Sequence, residues 1–130
     1  MNDISTFNAA QTTDFKAICE KLEAEFIASL LGAESKLYHG SPAWFIDGNP
    51  IVGYYVPKKG DRVAVMFWSG QSFDEPGLRA EGSFKAAVVD YATLEDVDSE
   101  ELQRWLEKSK SIQWDYKNIV KNGGQLNRLV

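Results

Sequence analysis

The sequence contains few of the residues on which disulfides, zinc sites and thiol or imidazole chemistry depend. Among its 130 residues it has one Cys, Cys19, and one His, His39. One cysteine cannot form an intramolecular disulfide, and two such residues cannot complete a Cys/His zinc site, which takes four ligands. Disulfide-stapled and Cys/His zinc-stabilised domains are therefore excluded.

Basic residues and long apolar runs are also scarce. The 14 Lys and Arg residues are outnumbered by 19 Asp and Glu residues, which gives a formal net charge of −5. Nucleic-acid binding needs a basic surface, and a membrane-spanning helix needs about 20 consecutive apolar residues. The first residues lack the basic and apolar regions of an export signal. We expect a cytoplasmic protein, a monomer or weak dimer, with an unknown small-molecule or protein partner, no nucleic acid and no membrane.

No catalytic motif is present. Any histidine-based mechanism would have to use His39, and Ser41 in the same segment does not resemble a Ser-His-Asp arrangement. The simpler interpretation of His39 is a turn histidine that bonds nearby backbone, and the functional one is a base or ligand at the mouth of a pocket. Cys19 lies in an apolar stripe, which is typical of a core thiol rather than a nucleophile. We assign no catalytic residue and do not expect an enzyme.

Hydrophobic periodicity predicts one helix followed by a run of strands. Helical spacing over residues 14–31 places six apolar side chains on one stripe: Phe15, Ile18, Cys19, Leu22, Phe26 and Leu30. Short β-branched and aromatic runs then predict strands at residues 43–46, 51–56, 63–68 and 86–91. The turn signals between the first three runs leave connections so short that neighbouring strands must be antiparallel. The pattern therefore predicts an antiparallel β-meander of about four to five strands.

The C-terminal part returns to a helical period. Asp98 with Glu101 three residues later has the pattern of a capping box. An unbroken helix from there would be too long for the domain, so we expect a break near residues 109–111 and one or two C-terminal helices. Trp114 should then turn back onto the body of the protein.

We expect a single domain over residues 1–130, because 130 residues can bury one core and are too few for two. Residues 1–12 are polar and aperiodic and predict a loose lead-in. The folded part is expected over residues 13–124, and residues 125–130 are expected to be a tail. The loop over residues 69–83 is long for such a domain, and long ordered loops are often functional.

Large aromatic side chains are numerous for one small sheet. Most must belong to the core, because aromatic burial dominates core energetics. If helices cover one sheet face fully and the other only in part, aromatic rings would line a ligand cleft with a few polar groups. The residues of this hypothetical cleft are His39, Trp44, Tyr54, Trp68, Gln71 and Lys85. A second interpretation, in which the rings only fill the core, stays open.

Acidic residues form one dense run, residues 90–101, that contains no Lys or Arg. Hard cations prefer several oxygen ligands, so this run is a candidate metal site. Its proposed ligands are Asp90, Glu95, Asp96 and Asp98. The alternative is that these carboxylates stabilise the N-terminus of the next helix, where negative charge is favourable.

A third hypothesis is a protein-interaction module. Trp114 and the loop over residues 73–78 would form its contact surface. An exposed Trp114 would favour it, because apolar patches in solvent often mark contacts.

The order of these features resembles one known family. The segments that carry the resemblance are YHGSPAW at 38–44, GNP at 48–50, SFKAA at 83–87, VDY at 89–91 and LEDVD at 94–98, with Leu102, Trp105 and Leu106 after them. Over residues 15–123 the chain is similar to the YdhG-like family of small bacterial domains (domain of unknown function 1801). The resemblance implies an α+β two-layer sandwich, with the meander packed by N- and C-terminal helices. Some members are described as frataxin-like iron chaperones, so it also implies a binding or carrier domain with iron(II) as a possible cargo.

Overall fold

Within residues 3–129, the part of the chain that this computed structural model describes, three helices and six strands form an α+β fold. The helices are α1 (Asp3–Ala9), α2 (Thr13–Ser29) and α3 (Ser99–Ser111). The strands are β1 (Glu34–Tyr38), β2 (Ser41–Ile46), β3 (Asn49–Tyr55), β4 (Val63–Phe67), β5 (Arg79–Ala80) and β6 (Ala87–Tyr91). Single 3-10 turns lie at Gly70–Ser72 and Leu94–Asp96.

The sheet is antiparallel throughout, with strand order β1-β2-β3-β4-β6-β5. The predicted meander is confirmed, and it gains β1 at one edge and the two-residue β5 at the other. Two-residue turns join β1 to β2 and β2 to β3. Both residues of each turn have positive φ, His39 at 53° and Gly40 at 84°, then Asp47 at 52° and Gly48 at 80°. Positive φ at both positions is typical of the type I′ turns that match the twist of a hairpin.

All three helices pack on one face of the sheet. The predicted stripe of α2 is buried there, and the ring of Phe26 meets that of Trp44 edge-on at 5.0 Å. On α3, Trp105 lies edge-on to Phe67 at 6.1 Å. These residues belong to one continuous hydrophobic core. None of the helices in this part of the chain combines the length and the apolar character that crossing a bilayer requires.

The segment predicted as a loose lead-in, residues 1–12, contains helix α1; residues 1 and 2 lie outside the described residues. Ile4 and Asn8 of α1 are buried. The Asn8 side chain donates to Glu23 at 3.0 Å and accepts from the Tyr54 hydroxyl at 2.7 Å. The expectation failed because a seven-residue helix has little periodicity, and α1 is held by these tertiary contacts instead.

Helix α3 begins and ends as predicted. Asp98 is its N-cap and accepts from the Glu101 backbone N–H at 3.1 Å. The helix ends at Ser111, and Trp114 turns back: its backbone N–H donates to Ser69 Oγ and its indole N–H to Ser72 Oγ, both at 2.9 Å. The break at residues 109–111 is thus where the chain folds back onto the sheet.

The predicted tail, residues 125–130, is tied to the domain over its described part, with Val130 outside the described residues. The Asp115 N–H donates to the Asn127 carbonyl at 2.7 Å, and the Leu129 N–H to the Gln113 carbonyl at 2.8 Å. Asn49, buried in β3, fixes the same region by donating to the Trp114 carbonyl at 2.9 Å. Backbone pairing of this kind leaves no apolar pattern in the sequence.

The long loop after β4 is fastened to α3 by one carboxylate, Glu75, whose side chain is only 7% exposed. It accepts from Arg104 Nη2 at 2.7 Å, from Lys108 Nζ at 2.6 Å and from the indole N–H of Trp105 at 2.9 Å. The hydrogen bond from Arg104, followed by those from Lys108 and Trp105, holds the pKa of Glu75 far below its usual range. The loop is therefore ordered by a charged network rather than by secondary structure.

We expect Glu75→Gln to lower the free energy of unfolding near pH 7 by about 1.5–3 kcal/mol, the usual range for hydrogen bonds to charged groups. Because the folded-state pKa is depressed, this stabilisation is complete above the ordinary value of 4.5 and is lost as pH falls below it. Urea denaturation at a series of pH values measures both effects. The variant should show a shallower loss of stability in acid than the parent.

Glu107→Gln is the matched control, because Glu107 is exposed and pairs with Lys110 one turn away. Exposed pairs of this kind contribute about 0–1 kcal/mol. Equal losses in the two variants, or an unchanged acid profile in Glu75→Gln, would show that the Glu75 network does not hold the loop.

Candidate functional site

The two faces of the sheet carry different residues because side chains alternate along each strand. Trp44, Val52 and Phe67 lie opposite one another and face the helices. The neighbouring row, Ala43, Gly53 and Met66, is also in register and faces the other side. We call this second side the open face, because none of the helices in residues 3–129 packs on it.

The open face contains a cavity of about 280 Å³. It is lined by Tyr38, His39, Ser41, Pro42, Ala43, Gly53, Tyr54, Tyr55, Val56, Met66 and Trp68. Its floor is low because Ala43 and Gly53 are small. A Cβ at Gly53 would lie 2.5 Å from the carbonyl oxygen of Pro42, closer than atoms can approach, so the strands can meet here only with glycine.

Aromatic rings form one wall of this open-face cavity. The ring of Tyr38 lies 6.2 Å from that of Trp68 and 5.3 Å, edge-on, from that of Phe45. The Nζ of Lys36 stands 4.8 Å from the centre of the Phe45 ring. Tyr38 is 38% exposed, and Trp68 is half-buried. The wall thus offers apolar ring surface that solvent can reach.

Four polar side chains border the same cavity: Tyr38, His39, Ser41 and Tyr55. Across residues 3–129 the side chains of these four make no hydrogen bond with one another or with any other described group. His39 is placed by the turn between β1 and β2, with its ring 4.2 Å from that of Tyr38. Groups that can donate hydrogen bonds are therefore present at the cavity and uncommitted within the described fold.

The Tyr55 end of the cavity adjoins an ion-pair network. Asp90 accepts from Arg62 Nε at 3.0 Å and from Arg79 Nη2 at 3.2 Å. Burial alone would raise the pKa of Asp90, but the hydrogen bonds from Arg79 and Arg62 outweigh it and hold the pKa below its usual range. Burial and the charge of Glu81 raise the pKa of Tyr55, so its hydroxyl stays protonated near neutral pH.

The structure divides the six residues predicted to line a cleft. His39 and Trp68 lie at the open-face cavity. Trp44 is buried among the helices with 1% of its surface exposed. Tyr54 borders the cavity, but its ring is in the core and its hydroxyl is bonded to Asn8, so only its backbone is available there.

Gln71 and Lys85 lie elsewhere, in the segments that flank the β5–β6 edge. Gln71 Nε2 donates to the carbonyl of Ala86 at 2.9 Å. Lys85 Nζ stands 4.8 Å from the centre of the Trp114 ring. These two residues serve the packing of the loop and the C-terminal segment, and the structure does not bring them to the cavity.

Three of the four predicted metal ligands have structural roles, and these roles are separate. Asp90 belongs to the arginine network, and Asp98 caps α3. Asp96 caps the turn before it, accepting from the N–H groups of Ala92 and Thr93 at 3.0 Å, while Glu95 is exposed. Among the described residues no group of three or more His, Cys, Asp or Glu side chains lies close enough to hold a metal ion. The four carboxylates therefore do not converge on one point among the described residues.

The sequence reasoning missed most of the cavity, namely Tyr38, Ser41, Pro42, Ala43, Gly53, Tyr55, Val56 and Met66. The signal that could have found them is alternation. The predicted strands contain the adjacent pairs Trp44-Phe45, Tyr54-Tyr55 and Phe67-Trp68, and each pair places one ring in the core and one on the open face. Knowing the register of one pair assigns the others.

Cys19, the only thiol, is fully buried in the core. Burial, with a smaller contribution from the charge of Glu20, raises its pKa to about 12. The thiolate that nucleophilic chemistry needs is therefore almost absent at neutral pH.

Comparisons with known proteins identify the fold. No protein-family model matches the chain, and no curated protein matches it. Among solved structures, it is similar to a protein of the DUF1801 family, YdhG from Bacillus subtilis, with a TM-score of 0.57 and 15% sequence identity over 93% of this chain and 92% of that one. At this identity the similarity shows a shared fold.

We expect Cys19 to resist labelling by a thiol-specific disulfide reagent in the native protein at a pH of about 8.5, the ordinary pKa of a cysteine thiol. In urea the same thiol should react at the rate of a model peptide. Absorbance of the released chromophore follows both reactions. Native labelling at the unfolded rate would mean that Cys19 is accessible and would reopen it as a nucleophile.

Proposed function

We propose that this chain is a DUF1801-type domain that binds a small molecule in the open-face cavity. The observation that carries the proposal is a concave aromatic surface, reached by solvent, whose polar groups have no hydrogen-bond partner among the described residues. Ligand sites in proteins combine an apolar concave wall with a few oriented polar groups. The volume of about 280 Å³ is close to the lower end of such sites, roughly 300 Å³, and would suit a molecule with one or two rings.

Assignment to the family is part of the proposal. It is supported by the fold shared with YdhG and by the order of the segments, from YHGSPAW at 38–44 to LEDVD at 94–98. The resemblance also implies the carriage of iron(II). We do not propose an iron chaperone, because the acidic run contributes caps and ion pairs and the described residues hold no convergent ligand set.

The interaction-module hypothesis receives less support. Its contact surface required exposed apolar groups at Trp114 and in the loop over residues 73–78. Trp114 is bonded through both of its N–H groups to Ser69 and Ser72. Phe73 is buried, and Glu75 is fastened to α3.

Protein labelled with fluorotryptophan tests the proposal, because its four Trp residues report separately in fluorine NMR. We expect the Trp68 signal, assigned with Trp68→Phe, to shift when one-ring aromatic probes are added: phenylacetate, phenylacetamide and phenethylamine. The buried Trp44 and Trp105 should not respond. Tyr38→Ala should weaken binding about three- to tenfold, since aromatic contacts contribute about 0.5–1.5 kcal/mol.

Phe84→Ala is the control for Tyr38→Ala, because Phe84 is a similarly exposed ring that packs on Tyr116 rather than at the cavity. If no probe moves Trp68, or if the two variants weaken binding equally, the cavity is not the binding site. Anaerobic calorimetry with ferrous iron completes the test. Heat that disappears in Glu95→Gln or Asp96→Asn would move the functional site to the acidic run.

A further inference from the structure

The polar groups around the open-face cavity differ in kind from those of the surrounding surface. The polar side chains that line it are two phenols, one imidazole and one hydroxyl, from Tyr38, Tyr55, His39 and Ser41. Each of these can donate a hydrogen bond, and no Asp or Glu lines the cavity. The absence of Asp and Glu from the cavity lining is unusual in a chain that carries 19 acidic residues.

A carboxylate matches such a lining, because each of the four groups, although it can also accept, can donate to it. An ionised carboxylate only accepts hydrogen bonds and has about four acceptor positions, whereas an ammonium group only donates. An ammonium ligand would find no anionic partner among the lining residues. Beside the cavity wall a cation of the chain is already present, since Lys36 Nζ stands 4.8 Å from the centre of the Phe45 ring.

Charge differs between the two sides of the cavity, taken across the strands from β6 and β5 to β1, and this difference gives the ligand an orientation. At the Tyr55 end the adjoining network has three carboxylates, Asp61, Asp90 and Glu81, against two guanidinium groups, Arg62 and Arg79. A second net negative charge would be disfavoured there. His39, in the turn between β1 and β2, lies on the β1 side of the cavity, and Ser41 on β2 is a neighbour of Tyr55 on β3; neither His39 nor Ser41 is part of an ion pair in the described chain.

The floor of the cavity is apolar. Ala43 and Gly53 form the floor, and Tyr38 and Trp68 stand beside it with ring centres 6.2 Å apart. A planar ring on this floor would contact the aromatic wall edge-on or offset, the arrangements that aromatic pairs prefer.

From these observations we infer that the ligand of the open-face cavity is a small aromatic carboxylate, with its ring against Tyr38 and Trp68 and its carboxylate toward His39 and Ser41. The inference rests on the proposed function, since it names the ligand class of the same cavity.

The test compares three probes of similar shape and different charge: phenylacetate, phenylacetamide and phenethylamine. Titrations followed by the Trp68 fluorine signal should give the tightest binding for phenylacetate, at least about threefold tighter than for phenylacetamide, because charge-assisted hydrogen bonds are stronger than neutral ones. Phenethylamine should bind most weakly.

Two variants locate the carboxylate. His39→Asn removes the imidazole while keeping a residue that tolerates the positive φ of the turn, and Ser41→Ala removes the hydroxyl. Each should weaken phenylacetate binding roughly three- to tenfold and leave phenylacetamide binding within about twofold. Thr93→Ala is a matched control for Ser41→Ala, because its hydroxyl lies before α3 and away from the cavity.

The outcomes separate the inference from the proposed function. If all three probes shift Trp68 but phenylacetamide or phenethylamine binds as tightly as phenylacetate, the cavity binds ligands and the assigned class is wrong. If phenylacetate binds best but His39→Asn and Ser41→Ala have no effect, the orientation is wrong. If no probe shifts Trp68, the proposed function itself fails.

Discussion

Packing of all three helices on one face of the sheet is the constraint on which the rest of this structure depends. It makes one side of β2, β3, β4 and β6 part of a single hydrophobic core that includes Trp44, Phe67 and Trp105. It also leaves the other side without a helical layer within the described chain. An antiparallel sheet tolerates this arrangement, because one of its faces can pack on the core while the other faces solvent.

Apolar residues on the open face must therefore be shielded from water by neighbouring side chains of the sheet itself. One half does so with charge: Ala64 and Val88 are fully buried there although no described helix covers them, and Asp90 and Arg79, their pairing partners, join in ion pairs across the strands. The other half uses rings, with Tyr38 leaning toward Phe45 and Trp68. The cavity lies between the ion-paired part and the aromatic part of this face, over the small residues Ala43 and Gly53.

Sequence reasoning was sufficient wherever the signal is local. The stripe of α2, the cap of α3 at Asp98 and the turn-bounded strands all follow from spacing and residue type, and the structure confirms them. It failed where tertiary contacts decide. Helix α1 is held by Asn8, and Trp44, Tyr54 and Trp68 were grouped as one surface because composition does not reveal which face each ring occupies. A shift of one residue along a strand exchanges the faces.

The acidic run at residues 90–101 shows the same limit of sequence reasoning, here as a site that was predicted but is not assembled. Its density invited a metal site, yet Asp96 and Asp98 are each used within a few residues of their own position, where free N–H groups of a turn or helix start need an acceptor. Carboxylates with such local partners have no reason to converge. His39 and Ser41 differ, because they border a cavity and have no hydrogen-bond partner in the described fold. Their hydrogen-bonding groups therefore remain available to a ligand. Function is therefore better sought where donors remain uncommitted than where charge is most concentrated.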